Sequence, residues 1–320
     1  MIPISTTETT PLYQQICGAI TKDGTLDPKF TLLRPVGEEN GMQLNFADGA
    51  YDGISLYHMA PDKRDLKSLT EILGLICVGK YDKASECLAL YFSSDPYISM
   101  LALVEDFQSW IFEHHSALDP NRMMEFAVET LKNTADVESA KFALTLLALF
   151  NVEKKPAVAN LVRIFALADE FTLYCLFIFR NWEKAAEEIF ACAQKVSGWG
   201  RIHAVEYLHP TTDAMGRWLL LEGWRNNVSA EYSVLPVIEK AALLEHLQAN
   251  DLDEAAFSAA LELTAVLFME GPCEGLSGLS DPKGYMDAFF AAAAQRSLSD
   301  KEAEALAAVR KSYADYEKQA

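Results

Sequence analysis

Trp182-Glu183-Lys184-Ala185-Ala186-Glu187-Glu188-Ile189-Phe190-Ala191-Cys192-Ala193 sets apolar side chains at Trp182, Ala185, Ala186, Ile189, Phe190 and Ala193. These positions recur at i, i+3, i+4, i+7, i+8 and i+11, the period of one helix face, with Glu183, Lys184, Glu187 and Glu188 opposite. The stretch predicts a helix after Asn181 with one buried stripe. Val158, Leu161, Val162, Phe165 and Ala166 repeat the pattern, and Phe126 and Leu131 continue it further upstream. From Lys63 onward the helical period dominates.

The starts of these helices are marked chemically. Asp95-Pro96, Asp119-Pro120 and Asp281-Pro282 each join an N-cap acceptor to a residue suited to the first helical position, because proline lacks an N–H that would have no intrahelical partner there. Ser299-Asp300-Lys301-Glu302 reads as a capping box that opens a final helix with the stripe Leu306, Val309 and Tyr313. Asn250, Asp251, Asp253 and Glu254 are too compressed for a calcium loop and read as a helix start whose carboxylates favour the helix dipole. About a dozen helices of roughly 10 to 20 residues result, joined by short connections that make neighbours antiparallel. The glycine- and proline-rich run Gly271 to Gly284 is a long loop or hinge before the last two helices.

Residues 1–62 differ from the rest and read as an irregular N-terminal cap, leaving 63–320 as a helical-repeat domain. Phe30 to Leu33 and Met42 to Phe46 are short apolar stretches that can pair as a hairpin across Glu38-Glu39-Asn40. Asp48-Gly49-Ala50-Tyr51-Asp52-Gly53 can equally begin a helix running through Met59.

Half of the 320 residues are hydrophobic and 23% are charged, enough apolar material for a substantial core. The net charge of -19 repels phosphate backbones and disfavours nucleic acid as a partner. Six cysteines, none in a Cys-x-x-Cys, fit buried reduced thiols. The first ten residues lack the features of a secretory signal, and apolar runs such as Phe142 to Phe150 reach about half of the ~20 residues that span a bilayer. A cytoplasmic protein is expected.

Helix pairs such as Asp136 to Ala168 and Asn181 to Leu208 resemble the units of HEAT and armadillo-like solenoids. Gly198-Trp199-Gly200-Arg201-Ile202-His203-Ala204-Val205-Glu206, continued by Trp218-Leu219-Leu220 and Glu222-Gly223-Trp224-Arg225-Asn226, resembles a stretch of uncharacterised bacterial HEAT-like proteins. The resemblance implies an all-α fold, a right-handed solenoid of antiparallel helix pairs, and brings no reaction with it. DNA glycosylases of HEAT-like architecture are similar in fold only, and the acidic balance argues against their activity here.

The richest polar cluster lies in the same region: Arg201, His203, Glu206 and His209, then Glu222, Arg225, Asn226, Asn227 and Glu231. His203, Glu206 and His209 are spaced by three, so neighbours share a helix face. Glu206-x-x-His209 has the spacing of a di-iron ligand pair but lacks the second copy such sites require, and Pro210 ends the helix at once. Glu222 continues the stripe Met215, Trp218 and Leu219; a carboxylate on a buried stripe demands a partner, from Arg201, Arg217 or Arg225. Gly198-Trp199-Gly200 departs from the dinucleotide fingerprint and Gly275-Leu276-Ser277-Gly278 from the nucleophile elbow, each where the next glycine is due. His114-His115 after Glu113 reads as a helix end. Trp199 and Trp224, with glycine or polar neighbours, line either a groove or the core.

The sequence therefore predicts a non-catalytic interaction protein whose concave solenoid face binds a protein partner, one with a basic patch. No cofactor, metal ligand or catalytic residue is assigned. Trp199, Arg201, His203, Glu206, Glu222, Trp224, Arg225 and Asn226 are the expected contact residues. The alternative is an enzyme or small-ligand sensor with its site around Arg201, His203, Glu206, Glu222 and Arg225.

Overall fold

A computed structural model describes residues 10–32, 34–39, 42–59, 65–94 and 98–318. The chain is predominantly helical and divides into two compact units, Met1–Gly200 and Arg201–Ala320. The first unit contains α1 (Leu12–Ala19), a hairpin of β1 (Arg34–Glu39) and β2 (Met42–Phe46), α2 (Ala50–His58), α3 (Lys67–Cys77), α4 (Tyr81–Ser93), α5 (Val104–His114), α6 (Pro120–Asn133), α7 (Val137–Leu147), α8 (Pro156–Phe165), α9 (Asp169–Phe179) and α10 (Ala185–Ala193). The unit boundary falls within α11 (Trp199–Tyr207). The expected domain boundary at 62/63 and the Asp95-Pro96 helix start lie outside the described residues.

The N-terminal region forms a hairpin and then a helix, but the hairpin is not the pairing expected, since Glu38 and Glu39 lie in its first strand and not in its turn. β1 and β2 pair antiparallel from Arg34↔Phe46 to Glu39↔Met42, so the first strand begins after the apolar stretch Phe30 to Leu33 and does not coincide with it. The glycine-rich segment then forms α2, entered through Gly49 at φ 74°, a left-handed conformation that glycine adopts without steric cost.

In the first unit, α3 packs on α4, α6 on α7 and α8 on α9. Between these pairs α3 touches α6, α4 touches α7 and α7 touches α9, while α1 contacts both α6 and α8. This placement explains two helices without a polar face. Every residue of α7 from Glu138 to Leu147 is buried, as is α9 except Asp169 and Phe177. A helix apolar on all sides is stable only inside a core, and each fully buried Phe or Leu contributes about 1.5 to 3 kcal/mol. Phe142 packs between Phe107 of α5 and Phe126 of α6, at centroid distances of 5.5 and 6.5 Å.

The helix after Asn181 starts later than its apolar period suggests. Residues 181–184 form a turn, α10 opens at Ala185, and Ile189, Cys192 and Ala193 carry its buried face. Trp182 is buried in that turn against Phe179, 4.9 Å between centroids, with the Arg163 guanidinium over the indole at 5.0 Å. Asn181 is occupied differently: its amide donates to the carbonyls of Ala148 and Phe177.

The second unit continues with α12 (Asp213–Trp218), a π-helical turn (Leu219–Gly223), α13 (Glu231–Lys240), α14 (Leu243–Ala249), α15 (Glu254–Val266), α16 (Pro282–Ala294) and α17 (Asp300–Tyr316). α13 packs on α14 and α15, α14 on α16, and α15 on α17. Helix starts in both units follow the capping chemistry of the sequence. Asp119, Asp253 and Asp281 accept first-turn backbone N–H groups, and Ser299 with Glu302 forms the complete capping box. No helix among the described residues is long and apolar enough to cross a membrane.

Candidate functional site

Three polar constellations stand out, and the sequence pointed to one of them. In that one, Trp199 belongs to the first unit and the remaining residues to the second. Trp199 is 4% exposed, its ring packed on Gly53, where a Cβ would come within 2.2 Å of the indole. Tyr57 lies 6.1 Å away, centroid to centroid. The glycines around it have the same cause. Gly198 and Gly200 lie so close to the Asp169 carboxylate that an added Cβ would meet it at 2.4 Å, and the Gly200 N–H donates to Asp169 Oδ1 at 3.0 Å. Gly198-Trp199-Gly200 is thus a packing motif, its tryptophan set against Gly49 and Gly53 and its glycines against Asp169 and Thr172.

Arg201 places Nη1 on the carbonyl oxygens of Glu222 and Arg225, at 3.2 and 3.3 Å, with its guanidinium over Trp218 at 5.2 Å. Trp224 is buried and donates Nε1 to the Leu220 carbonyl at 3.0 Å. Arg225 donates to the Leu221 carbonyl and pairs with Glu262 at 2.9 Å. Asn226 organises the following loop: Oδ1 accepts the N–H groups of Val228 and Ser229, while Nδ2 donates to the Trp224 and Ser229 carbonyls. His203 is buried, whereas Glu206 and His209 are exposed. Arg201, Trp224, Arg225 and Asn226 therefore come together, bound largely to backbone carbonyls at the end of the π-helical turn.

Glu222 departs from its expected place. Its side chain is exposed, not on the buried stripe of Met215 and Leu219. The π-helical turn explains this, since each π-bonded turn inserts one extra residue and rotates the next positions off the α-helical stripe. Arg217, considered as its partner, pairs with Asp253 at 2.8 Å.

A second constellation lies at the heart of the first unit. The Lys141 ammonium, fully buried in α7, contacts Asp52 Oδ2 at 2.7 Å, Glu138 Oε1 at 3.2 Å and Glu170 Oε1 at 2.5 Å. Each carboxylate takes further donors. Asp52 accepts from the Ser99 hydroxyl at 2.7 Å and the Tyr174 hydroxyl at 3.0 Å; Glu138 accepts the Met100 N–H and Glu170 the Gly49 N–H, both at 2.6 Å. Burial, reinforced by the charges of Asp52 and Glu138, pushes the Tyr174 phenol well above its usual range, so it remains a proton donor. Four chain segments meet here: the α2 entry, residues 99–100, α7 and α9. With every participating side chain buried, the arrangement is suited to locking those segments together and not to receiving a substrate. The signal was present in sequence, since Glu138 and Lys141 are the only charged residues in the apolar helix Val137–Leu147. Their partners Asp52 and Glu170 are distant in sequence and carried no such mark.

The third constellation is a cleft of about 540 Å³ in the second unit, between the start of α12, the α13–α14 junction and the start of α15. Lys240, half-buried at the end of α13, donates from Nζ to the Val205 carbonyl at 3.0 Å and to the Glu206 carbonyl, capping the C-terminal end of α11. Burial holds its ammonium below the usual lysine range, against the opposing influence of Glu206 and Glu239. Beside it Ala242 adopts a left-handed conformation at φ 49°, uncommon for a residue with a Cβ and of the kind found at ligand clamps. His246 Nδ1 and Asp251 Oδ1 pair at 2.8 Å on the same wall. Of these residues only Asp251 stood out in sequence, as part of a helix start; Lys240 reads as an ordinary basic residue at a helix C-terminus.

No family model matches the chain, and no curated protein or solved structure is significantly similar to it.

Proposed function

We propose that this chain is a non-catalytic interaction protein whose helices stack as HEAT-like antiparallel pairs, right-handed in succession, and whose acidic surface engages a basic protein partner. The observation that carries this reading is the order of helix contacts in the first unit, where α3/α4, α6/α7 and α8/α9 pair in sequence and successive pairs touch through matching members. Such stacking is the means by which repeat proteins present extended surfaces without disturbing their cores. The net charge of -19 favours basic partners through long-range attraction and disfavours nucleic acid.

The polar chemistry supports the same reading. Arg201 and Asn226 bind backbone groups, Arg225 pairs with Glu262, and the Lys141 cluster is closed to solvent. An enzyme or sensor centred on Arg201, His203, Glu206, Glu222 and Arg225 requires side chains that converge on a ligand, whereas Glu206 and Glu222 are exposed and Arg201 is directed at carbonyls. All six cysteines are free thiols, which supports a reducing, cytoplasmic setting. The test is affinity capture from native lysate with the immobilised full chain at low and high ionic strength. A basic protein retained at low salt and released at high salt is expected; no retained protein at either condition overturns the proposal.

A further inference from the structure

We infer that the cleft of the second unit binds a small peptide-like zwitterion, a free carboxylate and a free ammonium carried on an apolar body. Arg217 and Asp253 neutralise each other at 2.8 Å, and His246 is paired with Asp251 at 2.8 Å. Two opposite charges remain without a side-chain hydrogen bond or ion pair among the described residues: Lys240, which bonds to backbone carbonyls and feels Glu206 and Glu239 only from beyond ion-pair distance, and Asp213, exposed at the first position of α12.

An ammonium has three donors, and the two carbonyls occupy two of Lys240's, leaving one for a ligand acceptor. Its partial burial strengthens attraction for an anion, because the surrounding dielectric is lower than water's. Asp213 faces the same cleft with acceptor capacity only. A ligand of one sign would be attracted by one of these groups and repelled by the other. A molecule carrying both signs satisfies both. Leu220, Leu252 and Ala256 add apolar lining to the same cleft, and about 540 Å³ lies within the range of small-molecule sites, with room for two amino-acid residues. The left-handed Ala242 sits on this wall two residues after Lys240, fixing the junction from which the lysine extends.

The site is independent of the protein-binding surface proposed above, so either assignment can fail alone. The test is calorimetric titration of the full chain with the dipeptide leucyl-leucine, its N-acetyl derivative and its C-terminal amide. Leucyl-leucine is expected to bind at least about tenfold more tightly than either derivative, each having lost one of two charge contacts worth roughly that factor. Asp213→Asn is expected to weaken the parent and the amide without weakening the N-acetyl derivative, and Lys240→Met to weaken the parent and the N-acetyl derivative without weakening the amide. Because Lys240 also caps α11, Asp213→Asn at its exposed position keeps the test decisive if Lys240→Met fails to fold. Absence of binding by the dipeptide, equal binding of all three compounds, or a dipeptide affinity unchanged by Asp213→Asn overturns the inference.

Discussion

Lys141 is the residue on which the interior of the first unit turns. One buried ammonium holds three carboxylates from α2, α7 and α9, and removing it leaves those carboxylates facing one another without compensation. Lys141→Met is therefore expected to destabilise the protein by about 3 to 5 kcal/mol, the usual cost of breaking a buried ion pair from one side. Urea denaturation followed by circular dichroism measures it, and a loss below about 1 kcal/mol would show that the cluster does not hold the fold. Gly53 tests the neighbouring contact. Gly53→Ala drives a methyl into the Trp199 ring, so overpacking of about 1 to 3 kcal/mol outweighs the gain of up to about 1 kcal/mol in helix propensity. The fluorescence of Trp199 is expected to shift together with the fall in stability, and an unchanged or raised denaturation midpoint would contradict the packing role. Gly49 and Gly53 were visible in sequence, but their reason was not: they fit Trp199, about 150 residues away, and no local period encodes a contact of that range.

At the scale of the element, local chemistry was legible wherever its cause was local. Asp119, Asp253 and Asp281 cap the helices that the sequence assigned to them, and His114 and His115 end α5 by bonding the Trp110 and Phe112 carbonyls. The π-helical turn was not legible, because its extra residue is set by how Leu219, Leu220 and Trp224 are buried and not by a turn signal. That single insertion moved Glu222 from the expected stripe to solvent. The capping box of α17 gives the pH dependence a definite sign. Hydrogen bonds from the Ser299 hydroxyl and backbone N–H hold the Glu302 carboxyl below its ordinary value of about 4.3. A carboxyl lowered in the folded state contributes stability above its unfolded pKa, and that contribution is lost as pH falls through the folded one. Amide exchange in α17 is therefore expected to lose protection as pH falls below about 4, relative to the intrinsic exchange rate, and Glu302→Gln to remove that dependence. Ser299→Ala is expected to cost about 1 kcal/mol of local stability; α17 protection that is insensitive to both changes would contradict the role of the box.

At the scale of the whole molecule, the helical class was readable from period and capping, whereas the division into units and the cleft of the second unit depend on contacts distant in sequence. The functional account rests on charge and surface, with the conspicuous polar residues of the interior holding segments in place. Electrostatic steering acts on encounter more than on residence, so an acidic protein meeting a basic partner carries a specific kinetic signature. The most direct measurement is the association rate of the captured partner with the full chain as ionic strength rises from low to physiological, where the screening length contracts to about 8 Å. The account predicts an association rate that falls at least about tenfold while the dissociation rate changes far less. An association rate independent of salt would contradict it.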